Sequence, residues 1–305
     1  MVITVLSGGV GAARLLDALS HSIDPSEINA VVNVGDDLVM HGLTICPDLD
    51  TIMYTLAGLN NRELGWGLAG ESWRVMEELV AVGGEAWFRL GDRDLATHLY
   101  RSQRLAQGAT KSLVTSELCA RLGVRVRLLP VSDDVVATTF ETDLGRLTFQ
   151  EYFVRHHHDV AVQSIDIVGA DTASATDDVL DALRHASRIV IAPSNPLISI
   201  DPILRVRGVR EVLEDRRDVV VGVSPIIDGR ALKGPADRLL AELGHEVSCL
   251  GVLDFYKGLV GTWIIDEADA ARADEVRSRD VDVVVTTTIM ADPVSAQRLS
   301  AAVLA

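Results

Sequence analysis

The chain has 305 residues with 28 Lys and Arg against 44 Asp and Glu, a formal net charge of −16 that disfavours nonspecific attachment to a nucleic-acid backbone or an anionic membrane. With 48% apolar residues and a mean hydropathy of +0.23 it can bury a large core and is not intrinsically disordered, while 4% aromatic residues leave few stacking platforms for single strands. Cys46, Cys119 and Cys249 lie far apart without C-x-x-C spacing, which argues against a disulfide framework and a zinc ribbon and for a reducing compartment.

From the N-terminus, a short apolar run enters a glycine-rich stretch with no basic leader before it. No stretch elsewhere reaches the length of a membrane span, so a soluble cytoplasmic protein is expected. β-branched runs then alternate with segments of helical period. The pattern predicts strands at 3–6, 28–33, 124–129, 189–192, 219–223 and 281–285. It predicts helices at 13–22, 51–57, 71–82, 95–105, 112–122, 177–186, 206–214, 236–243 and 293–303. Such alternation generates a Rossmann-like α/β fold, an open and mostly parallel sheet with helices on both faces. One stretch departs from it: 135–142, 146–153 and 160–168, with the turn Thr142-Asp143-Leu144-Gly145, read as antiparallel strands. The expectation is a single domain over 1–305, its core formed by 1–134 and 186–305 and a β-rich insertion by 135–185.

In an open parallel sheet ligands sit beyond the carboxyl ends of the strands. Those ends carry Ser7-Gly8-Gly9-Val10-Gly11, Val34-Gly35-Asp36-Asp37, Ser132-Asp133-Asp134, Pro193-Ser194-Asn195-Pro196 and Ser224-Pro225-Ile226-Ile227. The first is the best phosphate cradle, because glycines let backbone N–H groups approach an anion at a helix N-terminus. No Gly-Lys-Ser/Thr follows, so it is not a P-loop, and Arg14 stands where a dinucleotide fingerprint needs a third small residue. A tight turn without ligand is the alternative. Asp36, Asp37, Asp48 and Asp50 lie within fifteen positions, a supply of hard oxygen ligands suited to Mg²⁺ with substrate phosphates. Equally, Asp50 could cap a helix beginning at Thr51 and Asp36 could contact a ribose.

A chain of this net charge needs metal, arginine or backbone dipoles to hold a phosphorylated ligand. Arg89, Arg93, Arg104, Lys111 and Lys233 are at hand, with Asp92 and Asp94 readable either as site residues or as helix caps. His156-His157-His158 reads as a solvated turn, and His98 as a packed or capping residue. There is no G-x-S-x-G, no H-E-x-x-H and no Cys/His pair, so covalent nucleophilic catalysis has no candidate.

Taken together, the glycine loop, Asn33-Val34-Gly35-Asp36-Asp37, His41-Gly42, Cys46-Pro47-Asp48-Leu49-Asp50-Thr51, Gly65-Trp66-Gly67, Leu90-Gly91-Asp92-Arg93-Asp94-Leu95-Ala96-Thr97-His98 and the later strand ends resemble the 2-phospho-L-lactate transferase family of coenzyme F-420 biosynthesis. The likeness runs in order over nearly the whole chain and is greatest to the actinobacterial branch associated with phosphoenolpyruvate. It implies transfer of a phosphoenolpyruvyl or 2-phospho-L-lactyl group from a guanosine diphosphate-linked donor to the deazaflavin Fo, releasing GMP. It implies Asp36, Asp50 and Arg89 in catalysis and Asp36, Asp37 and Asp50 as Mg²⁺ ligands. Gly8, Gly9, Gly11, Asp48, Asp50, Arg89, Asp92, Arg93, Ser194, Asn195, Ser224, Pro225, Ile226 and Lys233 form the implied substrate-binding set. A homodimer is implied, with no nucleic-acid or membrane partner. The alternative is a nucleotide-sugar-binding regulatory protein of the same fold. An NAD-dependent dehydrogenase rests only on Gly9-x-Gly11 and Asp36.

Overall fold

The computed structural model describes residues 1–63 and 65–305. Its centre is a sheet of seven strands: β1 Ile3–Ser7, β2 Ile28–Val32, β3 Arg127–Pro130, β4 Arg188–Ile191, β5 Val220–Val223, β6 Thr262–Ile265 and β7 Asp282–Val285. They lie in the order β7-β6-β5-β4-β1-β2-β3, and every pairing is parallel. A parallel sheet covered on both faces asks for unbroken apolar strands, and β1 and β5 are buried at every position. Helices surround the sheet, among them α1 Gly9–Ser22, α2 Pro47–Leu56, α3 Arg74–Ala81, α4 Asp94–Ala106 and α5 Lys111–Leu122. The expected α/β class is the one observed.

The chain leaves β1 toward β2 and β3 on one side and returns to place β4 on the other, so the strand order reverses between β1 and β4. A crevice opens at such a point, beyond the strand ends. Above it, Ala137–Thr142, Gly145–Thr148 and Val162–Val168 form a separate three-stranded antiparallel sheet. It is tied to the crevice where the N–H of Thr138 donates to the carbonyl of Gly35 at 2.7 Å.

Several local expectations fail for identifiable reasons. The strand expected over 146–153 stops at Thr148, because the Glu151 carboxylate accepts from the N–H and hydroxyl of Thr148 (2.9 and 2.7 Å). That closes a turn and starts a wide helical coil over Glu151–Arg155. The helix expected from residue 71 begins at Arg74, since Glu71 is occupied by the N–H groups of Arg93 and Asp94 (2.8 and 2.9 Å). Strand β6, the hairpins Leu38–Met40/Leu43–Ile45 and Ile226–Ile227/Arg230–Ala231, and the helix Cys249–Phe255 were not anticipated. All are short, and the Trp263 of β6 sits in an apolar run of only three residues.

Candidate active site

The first wall of the crevice is the glycine loop. Gly8 is extended, Gly9 takes φ +69°, and α1 starts immediately with no acidic residue of its own in the first turn, so its N-terminal dipole attracts negative charge, and the Asp48 carboxylate already takes the Gly9 N–H. Two glycines here are required by close approach. A Cβ on Gly11 would lie 2.7 Å from the Pro193 carbonyl oxygen, and one on Gly8 would lie 2.7 Å from Ser199 Cβ and 2.9 Å from Asp48 Oδ2. The loops after β1 and β4 are thus in contact, and the Ser194 hydroxyl joins them by donating to the Gly8 carbonyl at 2.7 Å. Because the obstacle at Gly11 is backbone, Gly11→Ala is expected to push the loops apart and cost about 1–3 kcal/mol of stability, read by denaturant unfolding.

The remaining strand-end residues divide. Asn195 Oδ1 accepts from the Leu197 N–H at 3.0 Å and opens the turn Pro196–Ile200. The Ser224 hydroxyl donates to the Ile226 carbonyl (2.8 Å) and accepts its N–H (3.2 Å). Ser194, Asn195, Ser224 and Pro225 face a cavity of about 920 Å³ that also takes in Gly8, Gly9 and Gly11. Ile226, in contrast, is fully buried in the core and does not line the cavity, because it packs as a strand residue of the short hairpin.

The aspartates form the floor. α2 begins at Pro47, so Asp48 and Asp50 lie in its first turn and Asp50 does not cap a helix at Thr51. Asp48 is spoken for: Oδ1 accepts from the Gly9 N–H (2.6 Å) and Oδ2 from Asn33 Nδ2 (2.9 Å), which braces the cradle against α2. Burial nonetheless pushes the Asp48 carboxyl up to about 6, against those hydrogen bonds and with the charge of Asp37 adding to it. Folded Asp48 therefore holds its proton more tightly than the unfolded chain does. The stabilisation this gives is complete below 3.8 and is lost as pH rises through about 6. The ligand-free protein should show an unfolding midpoint that falls over that interval, and Asp48→Asn should flatten the fall.

Asp36 is different. Its side chain is buried, its Oδ1 has no hydrogen-bond partner, and burial first, then the charges of Asp48 and Asp37, hold its carboxyl well above the usual range. Its backbone carbonyl is gripped by Gln150 Nε2 at 2.9 Å. Asp37 does not line the cavity and its Oδ2 is ion-paired with Lys111, although its Oδ1, like that of Asp36, is buried without a partner, so its expected place among the metal ligands does not match its position.

Asp50 carries a group that the sequence reading missed. Arg101, fully buried on α4, grips both Asp50 oxygens, with Nη1 to Oδ2 at 3.0 Å. Burial acts to lower the Arg101 pKa, but the Asp50 carboxylate outweighs it and the guanidinium stays charged. His98 Nδ1 lies 3.3 Å from Arg101 Nη1, and His98 Nε2 lies 3.3 Å from Asp94 Oδ2. Asp94 Oδ1 accepts from the Tyr54 hydroxyl at 2.5 Å. Burial raises the Asp94 carboxyl, but His98 and Tyr54 offset this and leave it below the usual range. The signal was present as spacing: Asp50/Tyr54 and Asp94/His98 are four apart and His98/Arg101 three apart, one face of each helix. Oxygen and nitrogen atoms of Asp50, Asp94 and His98 lie within 4.8 Å of one another, but Arg101 already neutralises that corner.

Arg89 lines the cavity with its Cζ 4.3 Å over the Trp73 ring, and Lys233 lines it as well. Asp92 and Arg93 do not line it. Asp92 caps α3, accepting from the Ser72 hydroxyl (2.5 Å) and the N–H groups of Arg74 and Val75 (3.1 Å each), and Arg93 donates to the Ala69 carbonyl. Arg104 pairs with Glu117, outside the cavity. The turn expected at His156–His158 is present with His157 exposed, and His157 and His158 border the cavity.

The sequence matches the family model described as 2-phospho-L-lactate transferase CofD over residues 3–301. It is 44% identical over 298 residues to a phosphoenolpyruvate transferase of Streptomyces griseus subsp. griseus, covering 96% of this chain and 94% of that one. Phosphoenolpyruvate transferases of Kitasatospora aureofaciens (45%, 94% and 93% covered) and Mycolicibacterium smegmatis (45%, 94% and 94%) are similarly related. Among solved structures, a UPF0052-family protein of Bacillus halodurans shares the fold at a TM-score of 0.65 and 17% identity, over 99% of this chain and 98% of that one.

Proposed function

The chain belongs to the 2-phospho-L-lactate transferase CofD family and is a phosphoenolpyruvyl or 2-phospho-L-lactyl transferase of coenzyme F-420 biosynthesis; from that premise we propose the substrates and the roles of its residues. The donor is a guanosine diphosphate derivative of phosphoenolpyruvate and the acceptor is the terminal ribityl hydroxyl of the deazaflavin Fo. The products are dehydro coenzyme F-420-0 and GMP. The relatives' names favour the enolpyruvyl over the lactyl donor. The observation that carries the reading is one cavity that joins a glycine cradle to a buried carboxylate with a free oxygen, Asp36 Oδ1.

The Fo hydroxyl oxygen attacks the phosphorus that bears the enolpyruvyl group, the phosphoanhydride bond to GMP breaks, and the hydroxyl proton passes to a base. Such a transfer needs positioning and charge neutralisation more than covalent help. The Gly8–Gly11 backbone and the N-terminus of α1 hold the phosphates, while Ser194 and Asp48 fix the cradle's shape. Arg14, Arg89 and Lys233 line the cavity, and none has a carboxylate within 4 Å among the described residues. They are available to an anionic ligand. Asp36 fits a hard cation, because an unpartnered buried oxygen crowded by other carboxylates is otherwise costly. Asp36 would hold Mg²⁺, which would supply positive charge to the phosphoryl oxygens and the departing phosphate, while Asp50, both oxygens already on Arg101, lines the same cavity. Arg101 holds Asp50 in place and Trp73 orients Arg89.

A homodimer in the cytoplasm belongs to the same proposal; no helix among the described residues is long and apolar enough to cross a membrane. The test is incubation with Fo and each chemically made donor, with the phosphodiester product read by mass. Product from the enolpyruvyl donor, abolished by EDTA and restored by Mg²⁺, supports the reading. Tight binding of a nucleotide sugar with neither Fo binding nor product would replace it with the regulatory alternative.

A further inference from the structure

The His156–His158 tract has no part in the roles assigned above, yet it is firmly built. The His156 N–H donates to the Glu151 carbonyl (2.9 Å) and the His158 N–H to the Tyr152 carbonyl (2.8 Å). Tyr152 itself is fully buried, stacked on Phe140 at 4.1 Å, with its hydroxyl accepting from Arg238 at 2.7 Å. This anchoring holds His157 and His158 in left-handed backbone conformations, φ +51° and +47°. Among the described residues these are the consecutive pair of non-glycine positions with positive φ. A β-carbon makes that region costly, and strain of this kind persists where the surroundings impose it, often at ligand sites.

Three neighbours define what the turn faces. His158 lies 5.2 Å from the Phe153 ring, which stacks on Phe149 at 5.4 Å, and all three side chains line the cavity. Gly234 abuts the same ring, with its Cβ position 3.9 Å from Phe153 Cζ, which sets the backbone of the Lys233–Gly234 segment beside Phe153. Lys233 Nζ reaches 3.9 Å from the Cβ position of Gly65, and Lys233, Gly65, His157 and His158 line the same cavity. At the other end of the segment, Gln150 clamps the Asp36 carbonyl at 2.9 Å. Gln150 and the histidine pair thus flank the same short coil, Glu151–Arg155, and Asp36, Gln150, His157 and His158 line one cavity.

The donor proposed above carries two kinds of anion. Its phosphates have the glycine cradle and Asp36 with its cation. Its carboxylate stands one carbon from the ester oxygen on the reacting phosphorus, and needs cationic or N–H donors a short distance from Asp36. Imidazole N–H groups and an ammonium without an acidic partner are such donors. We propose that His157, His158 and Lys233 form the subsite that recognises the carboxylate of the transferred three-carbon acid. The proposal rests on the transfer reaction above and names the part of the donor that this wall reads.

The test compares the GDP-linked 2-phospho-L-lactyl donor with the isopropyl ester of GDP, in which a methyl group replaces the carboxylate. Wild-type protein should bind the carboxylated compound the more tightly by calorimetry. His157→Ala and His158→Ala should each weaken it by about tenfold, as loss of a charged hydrogen bond does, and leave the isopropyl ester within about twofold. His157→Gly should lose the same preference while keeping or raising the unfolding midpoint, since glycine relieves the backbone. Equal weakening of both compounds, or no change in either, overturns the subsite. A wild-type protein that prefers the carboxylated compound but forms no product with Fo would reject the transfer reaction and retain the subsite. Wild-type protein without that preference removes the subsite even where turnover is seen.

Discussion

Asp36→Asn is expected to lower turnover of the donor and Fo by about a thousandfold without loss of the folded structure, the scale of removing a central electrostatic contact to a reacting phosphoryl group. The substitution keeps the shape of the side chain and removes its charge. In the ligand-free protein the charged form of Asp36 is disfavoured by burial and by Asp48 and Asp37, and its Oδ1 has no partner. A group tuned for stability would not be left so. The unfolding midpoint of Asp36→Asn at neutral pH should accordingly equal or exceed that of wild type, while Mg²⁺-dependent stabilisation in the presence of GDP is lost. Calorimetry with and without Mg²⁺ and GDP, beside the product assay, checks both halves. A variant with wild-type turnover would remove Asp36 from the chemistry.

Asp50→Asn should also abolish turnover, but with a cost in stability that Asp36→Asn lacks. The Asp50 carboxylate and the Arg101 guanidinium are both buried and face each other through two hydrogen bonds. Removing one partner leaves the other charge buried and uncompensated, a loss of about 3–5 kcal/mol. For a chain of this size that corresponds to a fall of roughly 10 °C in the unfolding midpoint. Arg101→Met should show a similar fall. The double variant Asp50→Asn/Arg101→Met should recover part of it, because no charge is then stranded. Additive losses in the double variant would mean that the two residues stabilise the fold through separate contacts.

The α/β architecture was legible because the periodicities were long and clean: β1, β2 and β4 each present a run of apolar, mostly β-branched residues, and a fully parallel sheet has no other way to be covered. The glycine loop and the acidic pairs were legible as strand-end residues. What escaped was pairing across sequence. Nothing local tells Asp37 from Asp36, and Lys111, 74 positions away, decides which of them faces the cavity. Arg101 stands 51 positions from Asp50 and reads as one more helix arginine until α2 and α4 are packed together. Asp92 and Arg93 fell in a convincing motif but serve the cap of α3 and the carbonyl of Ala69. The histidine tract forms the expected turn with His157 exposed; what the sequence does not show is that His157 and His158 border the cavity, where the anchoring of Tyr152 holds them.

The central claim is that a strongly anionic chain holds a nucleotide diphosphate by placing a divalent ion on Asp36 beside the Gly8–Gly11 cradle. Crystals grown with GDP and Mn²⁺ test it directly through the anomalous signal of the metal. The account predicts a peak about 2.0–2.3 Å from an Asp36 carboxylate oxygen, shared with a phosphate oxygen seated on the glycine loop. Diphosphate bound elsewhere, or bound on that loop with no metal at Asp36, would contradict it.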